Sequence, residues 1–384
     1  MPGHNSQSKR FIEERHIFQH DTKLEPPLSP SDYVSDDAFR REQAMVFDRE
    51  WHFAGLTTQI PRAGDYLSVE AHGVPVVVRN AGGGIRAFVN ICAHRHCAVV
   101  PVGAGHGDTL RCQYHGWEYG DDGKIAKITD GVSFKGIRAK EFQLEPCRLE
   151  TLGSLIFVSF HAETKSLRES LGEMAAELDH FFGNHRQIWR WVSDYPVNWK
   201  IVVENAVESY HVPMIHPGTF MDYKREEHHE HTLRPAFTSY LDTAPMGTSI
   251  TDRGFQAFTR MTAPKVHFER AKHIHIFPNH LIEVREVYSL FSTVEPLGPQ
   301  QTRFTSLGFL PRDIKFPLLM RPLQYLFGVA LTTMAKRIMG EDTGIWSEVQ
   351  RGLDHSRYAG VLSRREERVY AFQRYLSDAM GTQP

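Results

Sequence analysis

Two short motifs constrain this chain more than anything else in it. They are Cys92-Ala93-His94 and Cys112-Gln113-Tyr114-His115, with seventeen residues between His94 and Cys112. Two thiolates and two imidazoles at these spacings suit a [2Fe–2S] cluster whose cysteines bind one iron and whose histidines bind the other. A zinc ion also takes two Cys and two His. Structural zinc sites, however, usually space like with like, as C-x2–4-C and H-x3–5-H, so the mixed pairs favour the iron–sulfur reading.

The surrounding sequence is β-rich. GDYLSVEAHGVPVVVRN and IRAFVNICAHR read as strands joined by a turn at Gly82–Gly84, and Asp121-Asp122-Gly123 is a second hairpin signal. RLETLGSLIFVSF closes an all-β region over residues 50–162. Each metal motif then falls at the tip of a β-loop. Residues 1–49 read as a polar, proline-bearing arm and a helix that packs with the last domain. Residues 163–384 form that domain, beginning with the amphipathic helix SLRESLGEMAAELDHFFGNH. Asn198 is a candidate N-cap for WKIVVENAVESYHV, strands follow over about 230–312, and the end returns to helix.

Composition excludes several function classes. The formal net charge of −2 gives no basic field for nucleic acid. Four cysteines, Cys92, Cys97, Cys112 and Cys147, are too few for a disulfide scaffold and fit a reducing compartment. The N-terminus has no apolar signal core, and the most apolar stretch, Phe316–Met334, carries Arg321, Pro317 and Pro322. It reads as a buried loop and helix, with no membrane span, and the expected location is the cytoplasm.

A second constellation begins at Asn205 and runs through Glu208 and His211 to His216. Histidines five apart cannot share one face of a regular helix. Pro213 is expected to break the chain between them, so that His211 ends a helix and His216 folds back. Two imidazoles and one carboxylate on one face of Fe(II) leave positions open for O2 and substrate; zinc could use the same ligands.

CAHR and CQYHGWEY resemble the Rieske domain of ring-hydroxylating oxygenase α subunits, down to Tyr114-His115-Gly116-Trp117 and Tyr119. Asn198-Trp199-Lys200, followed by N-x2-E-x2-H-x4-H, is similar to the iron-binding segment of the same family. The resemblance implies an α+β fold: a small all-β Rieske domain, then a larger helix-grip-like antiparallel sheet with flanking helices. It implies that Cys92, His94, Cys112 and His115 hold the cluster, and that His211, His216 and Asp342 hold the iron. Asp342 is expected at the start of a late helix, in Glu341-Asp342 ahead of Val349-Gln350-Arg351-Gly352-Leu353. Glu208 is the expected bridge between His211 and His115 of a neighbouring subunit, with Glu204 as its rival, and Asn205 is the expected pocket residue.

The sequence departs from the family where His96 replaces the glycine that usually follows C-x-H-R. Cys97 reads as a free, packed thiol, and His96 and His106 as loop histidines. His228, His229 and His231 in REEHHEH have the composition of an exposed loop, whereas His273 and His275 alternate on one face of a strand that could meet substrate.

The resemblance implies an oxygenase that takes electrons from a separate NAD(P)H-dependent reductase, directly or through a ferredoxin. No G-x-G-x-x-G fingerprint follows a strand here. Its lead reaction is monooxygenation of a small organic substrate, by hydroxylation or oxidative demethylation, with cis-dihydroxylation of an aromatic ring as the alternative. A homotrimer is the expected assembly. A Rieske electron carrier and a zinc-stabilised binding protein are the distant alternatives.

Overall fold

The structure is a computed structural model that describes residues 24–138, 141–183, 185–218, 229–242, 271–285, 289–311 and 321–381. They form two compact units. One is Phe47–Asp179, and the other joins the described residues before Phe47 to those from His180 onward. Residues 163–179 therefore fold with the first unit rather than with the last domain. Ser166 caps a five-residue helix there, and the chain leaves it at Gly172 in a left-handed conformation (φ 55°), so the single expected helix is two.

The N-terminal helices are α1 (Ser31–Val34) and α2 (Asp36–Met45), a 3-10 turn following at Phe47–Arg49. Strands β1 (His52–Leu56), β2 (Asp65–Ala71), β3 (Val74–Asn80), β4 (Ile85–Val89) and β5 (Gly103–His106) come next. A small sheet follows from β6 (Leu110–Arg111), β7 (Glu118–Tyr119) and β8 (Ile125–Lys127), then β9 (Pro146–Leu152) and β10 (Leu155–Ser159). The large sheet has the order β1-β10-β9-β4-β3-β2-β5.

Side-chain alternation along β3 gives this unit two cores. Val76 and Val78 face Ala54, Leu67, Ile156 and Val158. Val77, paired across the ladder with Phe88, faces the other way, into a core with Cys92, Cys112, Trp117 and Tyr119. The two metal motifs thus grow out of a packed apolar floor. Gly123 in the β7–β8 hairpin belongs to the same packing. It sits at φ 79°, and a Cβ there would lie 2.4 Å from the Phe88 ring.

Helices α3 (Leu167–Leu171) and α4 (Glu173–Gly183) end the first unit, and the other resumes at His180, in the last turn of α4. Its strands are β11 (His185–Tyr195), β12 (His229–Leu233), β13 (Phe237–Asp242), β14 (Ala271–Ile276), β15 (His280–Arg285), β16 (Ser289–Gly298) and β17 (Gln301–Pro311). β12 to β17 meander, and β11 returns to pair antiparallel with β17 as the edge. Its helices are α5 (Trp199–Val207), α6 (Val212–Ile215), α7 (Arg321–Leu353) and α8 (Glu367–Ala379). α5 lies on β16 and β17, and α8 on β13. No helix among the described residues is long and apolar enough to cross a membrane.

Charged groups join the N-terminal helices to α5. Glu42 is fully buried, accepts from the Trp199 indole at 2.7 Å and meets Lys200 Nζ at 2.5 Å. Removing one partner of such a buried pair leaves an uncompensated charge, so the pair fixes where α2 docks.

Several local expectations are corrected. His231 is no loop residue: it lies buried on β12, with Nδ1 3.0 Å from Glu367 Oε1, which offsets the cost of burying it. His228 lies outside the described residues. His106 sits on β5 and bonds Asp65 at 2.9 Å. In the apolar stretch ending at Met334, Val329 and Met334 are 45% and 46% exposed, because they lie on the open face of α7.

Candidate metal centres

In the first unit the two Cys/His motifs form loops closed by the same backbone bonds. Cys92 N–H donates to Cys97 O and His96 N–H to Cys92 O. Cys112 N–H donates to Trp117 O and Gly116 N–H to Cys112 O in the same way. Each loop turns through a left-handed residue four after its cysteine, His96 at φ 58° and Gly116 at φ 69°. The loops also touch, since Gln113 N–H donates to Val99 O at 3.1 Å.

Both cysteines are buried, and the His94 and His115 rings lie 4.7 Å apart, with His94 stacked on Trp117. Burial pushes the Cys92 thiol up, and burial, with His115 and Arg95, pushes His94 down towards the neutral imidazole a metal binds. Tyr119 reaches the same place from β7. Its hydroxyl is 3.1 Å from Cys92 Sγ and accepts from Ala93 N–H at 2.9 Å. Burial, with Cys92 beside it, holds the phenol well above its ordinary range, so it keeps a proton to donate once Cys92 is a thiolate. Cys97 is free and packs against the same core.

In the second unit Asn198 caps α5 by accepting from Lys200 N–H. The helix stops at Val207, earlier than His211, because Glu208 turns to extended backbone (ψ 168°). Pro213 breaks nothing. It occupies the first turn of α6, where its missing N–H costs little, with His211 and His216 as the caps on either side. Four helical residues carry one imidazole round to the other, and the rings lie 5.3 Å apart.

Asp342 completes the group. His216 Nε2 is 3.0 Å and His211 Nε2 3.6 Å from its Oδ1, and Asn205 Nδ2 donates to the same oxygen at 3.1 Å. It stands far along α7, not at a helix start, because helix continues unbroken from Arg321 through Gly340. Both imidazoles turn Nδ1 away from this centre, to a carboxylate each. His211 Nδ1 donates to Glu208 Oε1, and Glu208 Oε2 in turn accepts from the Tyr210 and His211 N–H groups. His216 Nδ1 donates to Glu341 Oε2 at 2.7 Å. Burial alone would lower the His216 pKa, but the Asp342 and Glu341 carboxylates outweigh it and hold the ring above its ordinary value.

Among the described residues, this is the group of three or more His, Cys, Asp or Glu whose ligand atoms all lie within 4.8 Å of one another. The donor set, two nitrogens and an oxygen oriented by hydrogen bonds, fits a divalent transition metal. The ligands of one tetrahedral zinc would crowd as closely. Cys92, His94, Cys112 and His115 do not form such a group; the two buried cysteines and the His94 and His115 rings, 4.7 Å apart, suit a cluster with thiolates on one iron and imidazoles on the other.

Glu204 lies elsewhere, accepting from Tyr33 at 2.5 Å and Gln373 at 2.9 Å, so it is neither a solvated helix residue nor beside His211. His275 is fully buried and donates from Nε2 to Pro278 O at 2.8 Å, while His273 stacks on Tyr240. Two contacts had no signal in the sequence pattern. Glu341 was legible only as the neighbour of Asp342. Arg368, buried on α8, donates to Val207 O at 2.9 Å and so holds the end of α5 just before Glu208.

Residues 182–382 match the family described as the catalytic domain of the ring hydroxylating alpha subunit, and residues 50–138 match the Rieske [2Fe-2S] domain. Biphenyl 2,3-dioxygenase subunit alpha from Rhodococcus jostii (strain RHA1) is 32% identical over 201 residues, 50% of this chain and 42% of the relative. The chain thus spans less than half the length of that dioxygenase. Choline monooxygenase of Spinacia oleracea is 26% identical over 89% of this chain and 76% of its own. A crystal structure of the quaternary ammonium Rieske monooxygenase CntA superposes with a TM-score of 0.76 at 20% identity, covering 94% of this chain and 96% of the other. That likeness speaks for the fold: a β-rich Rieske unit, and a larger antiparallel sheet with helices.

Proposed function

This chain belongs to the family of ring-hydroxylating oxygenase α subunits, and on that premise we propose that it is the oxygenase component of a Rieske-type system. One observation carries the reading. Two ligand sets of different design, a cysteine–histidine loop pair and a two-histidine, one-carboxylate centre, are built in the same chain.

Cys92, Cys112, His94 and His115 would hold the cluster, and His211, His216 and Asp342 the mononuclear iron. When bound, the cluster supplies single electrons and the ferrous ion a place to activate O2. The protein's own part is orientation. Tyr119 donates to the Cys92 sulfur, Glu208 and Glu341 aim the two imidazoles, and Asn205 steadies Asp342. His211 is only half-buried, and Tyr210 and Met214 beside it are 57% and 81% exposed. That open flank suits Glu208 to accept from His115 of a neighbouring copy, as in a homotrimer. Electrons would come from a separate reductase, with or without a ferredoxin, in the cytoplasm.

The lead reaction is monooxygenation of a small organic substrate, by hydroxylation or oxidative demethylation. Glu208, where an aspartate is common in ring dioxygenases, supports it, as does likeness to enzymes named for choline and quaternary ammonium compounds. Cis-dihydroxylation remains the second reading, because the 32% identical relative is a dioxygenase.

The test starts from anaerobically purified protein, with iron, sulfide and zinc counted and EPR recorded after dithionite. About three irons and two sulfides per chain are expected, with a Rieske-type signal. Asp342→Ala should lose about one iron and keep that signal. Reductase-coupled O2 uptake with quaternary ammonium and aromatic compounds, followed by product analysis, then separates one inserted oxygen atom from two. Colourless protein with stoichiometric zinc and no sulfide overturns the proposal.

A further inference from the structure

Glu341 holds the most deeply buried ligand of the centre. His216 is 2% exposed and lies across two successive α7 side chains, with Nε2 on Asp342 at 3.0 Å and Nδ1 on Glu341 at 2.7 Å. An imidazole held at one nitrogen cannot rotate the other away, so the Glu341 bond fixes the direction in which Nε2 points. The other carboxylate oxygen is also engaged, since Arg337 Nε, one helical turn earlier, donates to Glu341 Oε1 at 3.2 Å. With one oxygen on His216 and the other on Arg337, Glu341 is kept from competing with Asp342 for a metal.

We propose that Glu341 is a positioning residue, the inner clamp that sets metal affinity through His216, while Glu208 on half-buried His211 is the outer one. The proposal rests on the iron reading of this centre. It divides the labour between two carboxylates that make the same kind of bond. Glu208 is held by the loop backbone and holds His211, which is more exposed than His216. Glu341, itself 23% exposed, is held by a helix-borne guanidinium and holds the buried His216. Loss of Glu341 should therefore release metal, and loss of Glu208 should not.

The measurement is anaerobic Fe(II) binding to full-length protein that keeps its Rieske cluster and has been stripped of mononuclear iron. It is read as a dissociation constant and as the EPR spectrum of the nitric oxide adduct with the cluster oxidised and silent. Glu341→Ala should weaken Fe(II) binding about 10–100-fold and alter the adduct spectrum. Glu341→Gln, whose amide oxygen still accepts from Nδ1–H, should recover most of the affinity and the wild-type spectrum. Arg337→Gln, which leaves the His216 bond in place, should fall between them, and it keeps the test available should Glu341→Ala fold poorly. Wild-type affinity in Glu341→Ala, or a Gln variant as weak as the Ala variant, overturns the proposal. Wild-type protein that takes up no stoichiometric Fe(II), or an Asp342→Ala variant that binds it unchanged, refutes the iron reading itself.

Discussion

His96 and Gly116 hold equivalent places in two loops, each four residues after a cysteine and each in left-handed backbone, at φ 58° and 69°. The departure of His96 from the family's glycine is therefore a matter of backbone energy. A non-glycine residue pays roughly 1–2 kcal/mol there, partly offset by its lower entropy in the unfolded chain. His96→Gly should hold or raise stability by up to about 1 kcal/mol, and His96→Val should lose about 1–2 kcal/mol. Sulfide release on heating, followed for the three proteins side by side, checks the order.

Tyr119 offers a hydroxyl to the Cys92 sulfur. Hydrogen bonds to cluster sulfurs favour the reduced state and raise the potential. Tyr119→Phe should lower the midpoint potential by roughly 40 mV, the one-electron equivalent of a hydrogen bond worth about 1 kcal/mol. An EPR-monitored redox titration measures it, and an unchanged potential would show that the bond does not act on the cluster.

Glu208 and Glu204, one helical turn apart in sequence, have different surroundings and should fail differently. Glu208 orients His211, so Glu208→Ala should slow turnover roughly 10–100-fold while iron and cluster remain. Glu204 accepts from Tyr33 and Gln373, and burial raises its pKa. Glu204→Gln should leave turnover near wild type. Single-turnover product formation separates the two.

His275 predicts an acid sensitivity. Burial drives its pKa from the ordinary 6.5 to about 3. Between those values the unfolded chain binds the proton and the folded chain does not, so stability rises with pH there and is lost as pH falls below 6.5. At pH 5 the loss should be about 2 kcal/mol relative to pH 7. His275→Met, which cannot titrate, should start less stable for want of the Pro278 bond but lose less on acidification. Urea denaturation of both proteins at the two pH values reads the difference.

The two Cys/His loops were legible because each pair lies within one loop, where spacing alone carries the geometry. His211 and His216 were legible for the same reason, although the proline between them starts a helix rather than breaking one. Asp342 lies on a distant helix, and only the resemblance drew attention to it. The bonds of Glu341 and Arg368 depend on how helices pack on the sheet, which no local pattern records. His231 misled because a run of charges reads as solvent-facing, whereas Glu367 on another helix supplies a buried partner. The two ends of the long meander were clear, and the break at Gly172 was not, since a glycine in an amphipathic run signals a stop only weakly.

Glu42 and Lys200 are 158 residues apart in the chain, with the whole Rieske unit between them. During synthesis α2 emerges long before its counter-charge. At about 5–20 residues per second, the Rieske unit has time to fold on the ribosome while Glu42 is still in water. The unit that receives α1 and α2 can close only after α5 and then α8 have been made, since Gln373 on α8 donates to the Tyr33 hydroxyl on α1. The chain is thus assembled from the inside of its sequence outwards, with α2 among the last elements to find a home.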